Sequence, residues 1–187
     1  MGEIAREYNF KVVVLGDPSV GKTSLIRRHA KGKFDFASKT TIGVDITTKH
    51  YTLEAGLRLS LAVWDIAGQE FSSAMRYQYY QGASAGILVF DLTEPETFWR
   101  VKLWYVDLRD HLHERVPIVL VGNKKDLPDQ RAVTPGEARE LADGYGFSYL
   151  ETSAATGENV DRAFYNLVAQ IIIAKKVAPD IFGIREV

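Results

Sequence analysis

The chain has 187 residues, with 23 lysines and arginines against 24 aspartates and glutamates, 46% hydrophobic residues and no cysteine. That length suits one compact domain that buries about 70% of its unfolded surface, and a net charge of −1 makes no general electrostatic case for nucleic acid or an anionic membrane. With no thiol in the sequence, disulfides, cysteine-ligated zinc, thiol nucleophiles and cysteine-borne lipids are excluded.

No apolar run approaches the roughly 20 residues of a membrane span. The polar start Met1-Gly2-Glu3-Ile4-Ala5-Arg6 lacks a signal-peptide core, and Arg6 stands where a myristoylation motif wants Ser or Thr. The expected organisation is a single domain over 1–187, with a core at 10–176, a loose N-terminal extension at 1–8 and a loose tail at 177–187.

In chain order, Lys11 to Leu15 is a short β-branched run of the kind found in a buried parallel strand. A helix should follow a glycine-rich turn and run to about Lys31. Phe34 to Gly43 is polar and aperiodic, as expected of a surface loop. Val44 to Glu54 and Leu57 to Asp65 alternate around Ala55-Gly56, which predicts an antiparallel hairpin. A loop over 66–73 and a short helix from Ala74 to Gly82 precede the apolar run Gly86 to Leu92.

Thr93-Glu94-Pro95-Glu96 pairs a capping hydroxyl with an acid three residues on and predicts one amphipathic helix to about Glu114. Phe98, Trp99, Leu103, Trp104, Val106 and Leu108 are expected to cover the sheet. Pro117 to Gly122 reads as another buried strand. Thr134-Pro135-Gly136-Glu137 repeats the helix-start chemistry, with a stop near Gly144 or Gly146. Phe147 to Glu151 is the last strand, and Thr156 to about Lys176 the last helix. Strands alternating with helices, apart from the one hairpin, predict an α/β fold: a mostly parallel six-stranded sheet with one antiparallel edge strand and helices on both faces. Ligands in such sheets lie at the carboxyl ends of the strands.

The stretch Gly16-Asp17-Pro18-Ser19-Val20-Gly21-Lys22-Thr23 has the G-x-x-x-x-G-K-T spacing of a phosphate-binding loop in strand-turn-helix context. Its glycines let successive N–H groups face one anion, Lys22 can reach the β- and γ-phosphates, and the Thr23 hydroxyl can ligate Mg²⁺. Asp65-Ile66-Ala67-Gly68-Gln69 follows a strand end, where Asp65 is placed to hold Mg²⁺ through a water. Gly68 offers its N–H to a γ-phosphate, and Gln69 can orient an attacking water.

Asn123-Lys124-Lys125-Asp126 also follows a strand. Its Asp126 can accept from both the N1–H and the exocyclic amine of guanine, a pattern adenine lacks. Ser153, Ala154 and Ala155 close the last strand and could offer backbone N–H groups to the guanine O6. Phe34 could lie edge-on to a base or simply pack locally. The histidines at 29, 50, 111 and 113 show no metal-ligand spacing and read as surface or core filler.

In these motifs, taken in order and spacing, the chain resembles a Ras-superfamily small GTPase over Lys11 to Lys176. Thr41-Ile42-Gly43-Val44-Asp45, Trp64 and Tyr79-Tyr80-Gln81-Gly82-Ala83 are similar to the Rab branch, whereas Ser73-Ala74-Met75-Arg76 is similar to Ras itself. The resemblance implies a magnesium-dependent GTP/GDP switch that slowly hydrolyses GTP. It implies that Thr41 ligates Mg²⁺ and contacts the γ-phosphate, that Lys124 packs across the nucleotide and that Ser24 touches the α-phosphate. Switch loops at about 34–45 and 65–80 would then meet effectors, an exchange factor and an activating protein. Cytoplasmic placement is expected, with a monomer and no nucleic acid.

Several residues depart from the family pattern. Pro18 replaces Gly or Ser close to where Gln69 must work, Ile46 replaces an aromatic, Phe71-Ser72 replaces Arg-Phe, and Ala155 replaces Lys. The ending Gly183-Ile184-Arg185-Glu186-Val187 holds no prenylation cysteine, so membrane anchoring has no residue here to act through. Two other readings stand beside the switch. One is a non-hydrolysing guanine-nucleotide sensor with turnover impaired by Pro18, and the other is an ATP-using phosphate-loop kinase or ATPase.

Overall fold

Along strand β1 (Glu7–Leu15), Val12 and Val14 face one side and Val13 and Leu15 the other, and all four are buried. A strand covered on both faces belongs at the centre of a layered sheet. The computed structural model, which describes residues 7–32, 34, 43–53, 57–66, 73–112 and 114–177, places it there. β2 (Val44–Thr52), β3 (Arg58–Ile66), β4 (Ala83–Asp91), β5 (Ile118–Asn123) and β6 (Ser148–Glu151) complete a six-stranded sheet in the order β2-β3-β1-β4-β5-β6.

Only β2 runs antiparallel, paired with β3 from Val44↔Ile66 to Thr52↔Arg58; β1–β3, β1–β4, β4–β5 and β5–β6 are parallel. The hairpin closes with the Leu53 N–H on the Leu57 carbonyl at 2.8 Å, while the Ala55-Gly56 turn lies outside the described residues. This is the mostly parallel α/β sheet expected from the alternating elements.

Helices α1 (Lys22–Lys31) and α6 (Val160–Ala174) seal one face with Leu25, Ile26, Phe164, Leu167 and Ile171. On the other face α2 (Ser73–Tyr80), α3 (Pro95–Trp99), α4 (Val101–Asp110) and α5 (Pro135–Tyr145) contribute Tyr80, Phe98, Val101, Leu108, Ala138 and Ala142. α5 starts as its sequence predicts. The Thr134 hydroxyl accepts from the Glu137 N–H, and the Glu137 carboxylate accepts from the Thr134 N–H at 2.9 Å, two orphan donors satisfied reciprocally. It stops where Gly146 takes a left-handed φ of 73°.

Several expectations need correction. β1 begins at Glu7, not Lys11, because Glu7 and Tyr8 pair with Arg58 and Leu59 of β3. The last helix begins at Val160: residues 156–159 form a turn in which the Gly157 N–H donates to Ser153.

The helix expected from Thr93 to Glu114 is two, α3 and α4, joined at Arg100 and ending at Asp110. Thr93 is not its cap, because its hydroxyl and N–H both donate to Asp91 Oδ1. Of the six side chains expected against the sheet, Phe98 and Leu108 are buried, whereas Trp99 and Leu103 are 65% and 67% exposed and Val106 is also exposed. Two apolar stripes share this stretch, and the inward one runs through Phe98, Val101 and Leu108, three and then seven residues apart, spacings that return to one helical face.

Candidate nucleotide site

All four motif segments begin where a parallel strand stops. The turn after β1 carries residues 16–21, β3 ends on Asp65-Ile66, β5 ends on Asn123, and residues 152–155 follow β6. These carboxyl ends lie side by side on one rim of the sheet, the place at which open α/β sheets hold ligands.

The turn after β1 is curled by residues that tolerate unusual backbone. Gly16 has a φ of 145° and Gly21 a φ of 98°. A Cβ on Gly16 would fall on the Val89 carbonyl, and one on Gly21 on the Asn123 amide. The same cradle that excludes a side chain leaves backbone N–H groups to face an anion. Ser19, at φ 64°, adds a left-handed step, and Pro18 and Ser19 are exposed at the tip.

Lys22 folds back over this turn, donating to the Gly16 carbonyl at 2.8 Å and the Asp17 carbonyl at 2.9 Å. Burial lowers its pKa, partly offset by the charges of Asp65 and then Asp17. A buried ammonium clasping two carbonyls is a cation held ready for a stronger anionic partner. The Thr23 hydroxyl donates to Asp65 Oδ2. A hydroxyl and a carboxylate at one strand end form an all-oxygen donor pair, which fits Mg²⁺ with waters and phosphate completing its shell. Ser24 sits half-buried in the first turn of α1.

The base end is organised by Asn123. Its Nδ2 donates to the Val20 carbonyl at 2.9 Å, and its Oδ1 accepts from the Thr152 hydroxyl and the Ala154 N–H, both at 3.1 Å. One buried amide thus ties the phosphate turn to the loop after β6. The Ala154 N–H is engaged here, so an O6 contact through it would be shared with Asn123.

Asp126 is exposed and accepts from the Ser153 hydroxyl at 2.6 Å, which orients the carboxylate while leaving it accessible. Lys124, at φ 68°, places its Nζ 2.5 Å from Asp91 Oδ2 at the end of β4. Ala155 is half-buried, and both its carbonyl and that of Ala154 accept from the Arg28 guanidinium. Phe34 is partly buried against the core cluster, with the Arg28 guanidinium 5.9 Å over its ring.

The structure therefore brings together Lys22, Thr23, Asp65, Asn123, Lys124, Asp126 and Ser153. Thr41, Gly68 and Gln69 lie outside the described residues. Sequence reasoning missed Arg28 and Asp91, which carry no motif and reach the site through partners distant in the chain, Ala154 with Ala155 and Lys124. It also read Asp17 only as one residue of the phosphate-binding stretch, whereas its buried carboxylate accepts from Trp104 and Arg100.

A phosphate turn, a hydroxyl–carboxylate metal pair and an Asn–Asp base clasp on one rim define a phosphate-loop nucleotide-binding protein. Residues 11–173 match the model of the Ras family, and the chain belongs to that family. It is 43% identical to the Ras-related protein RABA4b of Arabidopsis thaliana over 88% of this chain and 73% of the relative. Identity is 42% to RABA2a of the same plant and 40% to Rab2BV of Beta vulgaris, each over 91% of this chain, covering 79% and 80% of those proteins.

The protein is a Rab-like small GTPase, a hydrolase that binds GTP and GDP with Mg²⁺. Its partners are of the kinds general to the family: effectors, exchange factors and activating proteins. Among the described residues no helix is long and apolar enough to cross a membrane.

Proposed function

We propose that this chain switches through two loops, at about 34–45 and 65–80, whose contact with the γ-phosphate is made by Thr41 and Gly68 in the GTP state and lost after hydrolysis. The observation that carries the reading is the pairing of Thr23 with Asp65 beside the Lys22 clasp, which gathers a metal pair and a phosphate cation at one point. Backbone N–H groups of Asp17, Ser19, Val20, Gly21, Lys22, Thr23 and Ser24 bind the phosphates. Asp126 selects guanine, with Asn123, Lys124, Ser153, Ala154 and Ala155 shaping the base pocket, and Phe34 lies at its margin.

Mg²⁺ held by Thr23, Thr41 and, through a water, Asp65 would neutralise charge on the β- and γ-oxygens. Gln69 orients the water for in-line attack, and Lys22 steadies charge on the phosphoryl oxygens. This is catalysis by positioning and electrostatics, with no covalent nucleophile. No arginine stands in Ser38-Lys39-Thr40, where a built-in finger would lie. The intrinsic rate is therefore on the order of 10⁻⁴ s⁻¹, rising by about 10³ to 10⁵ with a partner's arginine.

We further assign a single domain over 1–187, a monomeric state and a cytoplasmic setting peripheral to a membrane through partner proteins, with no nucleic-acid partner. The decisive experiment has two parts. Chromatography of the nucleotide released from purified protein should yield guanine nucleotide, and single-turnover phosphate release from GTP-loaded protein should slow in Gln69→Leu. Recovery of adenine nucleotide would overturn the base assignment. Release unchanged in Gln69→Leu would overturn the catalytic one.

A further inference from the structure

The phosphate turn carries a feature at odds with its task. Asp17, between Gly16 and Pro18, puts a carboxylate inside a loop built to receive phosphate, and the residue is only 4% exposed. Its charge is close enough to raise the Lys22 pKa against the effect of burial. Left alone, a buried anion there would repel the β- and γ-phosphates and sacrifice its own hydration.

Two side chains from the neighbouring helices meet it. Arg100 Nη1 donates to Asp17 Oδ2 at 3.0 Å, and Trp104 Nε1 donates to Asp17 Oδ1 at 2.8 Å. Each carboxylate oxygen has its own donor. Arg100 is the joint between α3 and α4, and its carbonyl accepts from the N–H groups of both Leu103 and Trp104. Spaced four apart, residues 100 and 104 lie on the same helical face. Glu96 approaches Arg100 Nη2 only at 3.7 Å, so Asp17 is the closer anion.

We propose that Arg100 and Trp104 are positioning residues for nucleotide retention. Together they neutralise and orient Asp17, so that the phosphate turn remains an anion receptor and its affinity is set from the α3–α4 joint. This rests on the guanine-nucleotide reading of the site. It adds a control surface that the phosphate-loop motif does not contain, because both residues lie more than eighty positions away in the chain.

The test is dissociation of a fluorescent GDP analogue, followed by chase with excess GDP. Arg100→Gln should accelerate release by about tenfold, the scale of one charge-assisted hydrogen bond. Trp104→Phe, which removes the N–H donor together with part of the ring, should accelerate it by a smaller factor. The discriminating variant introduces Asp17→Asn into the Arg100→Gln protein. With the negative charge gone, release should slow back toward that of the parent.

If these residues merely packed the fold, the second substitution would add to the damage. Acceleration that persists or grows in the double variant overturns the proposal, as does unchanged release in Arg100→Gln. Thermal melting of each GDP-loaded variant checks folding, and should Arg100→Gln not fold, Trp104→Phe with and without Asp17→Asn applies the same criterion. A parent protein that retains no GDP analogue removes the guanine-nucleotide reading, and the inference with it. A parent that binds while release ignores Arg100 removes the inference alone.

Discussion

Asn123 Nδ2 donates to the carbonyl of Val20 across 103 positions of sequence, at 2.9 Å. The same amide accepts from Thr152 and Ala154, so one side chain at the end of β5 fixes the distance between the phosphate turn and the base loop. A residue commonly read as part of a base-recognition tetrapeptide is, in this fold, the pin between two loops.

Asn123→Ala should therefore damage stability as well as binding. It strands the Val20 carbonyl, the Thr152 hydroxyl and the Ala154 N–H in a buried place, at a cost of about 3 kcal/mol. Urea denaturation without added nucleotide measures it. A loss under about 1 kcal/mol would mean that water replaces the amide.

Gly21→Ala should fail for a reason visible in the backbone. The position has a φ of 98°, and the new methyl would collide with the Asn123 amide. The strained φ alone costs roughly 1–2 kcal/mol, and relief of the collision would break the bond to Val20. The protein should purify without nucleotide, as absorbance at 260 nm against 280 nm would report.

Lys22→Met should separate folding from function. Its ammonium is buried against two carbonyls, and burial lowers its pKa, so a thioether of similar length relieves a desolvation cost that nucleotide would otherwise offset. The nucleotide-free variant should melt at or above the parent's temperature, while GDP no longer raises that temperature. A variant that melts far below the parent would show the clasp to be a net structural bond.

His29 sets an expected pH dependence. It is buried, bonded through Nδ1 to Asp161 Oδ1 and through Nε2 to the Tyr51 hydroxyl, both at 2.6 Å, and stacked 4.0 Å from Phe164. Around it stand Lys49 and Tyr51 from β2 and Asp161 and Tyr165 from α6. Burial lowers its pKa from 6.5, with Asp161 opposing and Lys49 reinforcing. Below about pH 6.5 the unfolded chain takes up a proton that the folded chain resists. Stability should therefore be full above that pH and decline as pH falls toward 5.5, and His29→Gln should flatten that part of the profile. Denaturation midpoints at pH 7.5 and 5.5 decide it; an equal decline in both proteins would place the titrating group elsewhere.

The phosphate turn, the Asp65 strand end, the Asn123–Asp126 segment and the capping box at Thr134 were legible because each is contiguous. A turn needing positive φ, a strand end or a helix start is specified by neighbours within a few residues, and its chemistry travels with it. The joint at Arg100 was not legible, nor was the phase of the apolar stripes beside it. Trp99 and Leu103 have the same hydrophobic character as Phe98 and Val101, and only docking on β4 and β5 decides which stripe is buried.

What the sequence by itself determined is the backbone grammar of an α/β sheet and the chemical character of the segments at its strand ends, since both are encoded over short spans. Only the tertiary structure decided the pairings that make those segments one site: Asn123 with Val20, Arg28 with Ala154, and Asp17 with Arg100 and Trp104. These bonds join residues more than eighty positions apart. Their partners are selected by which strand ends the sheet order brings together, a property of the folded chain that no local spacing carries.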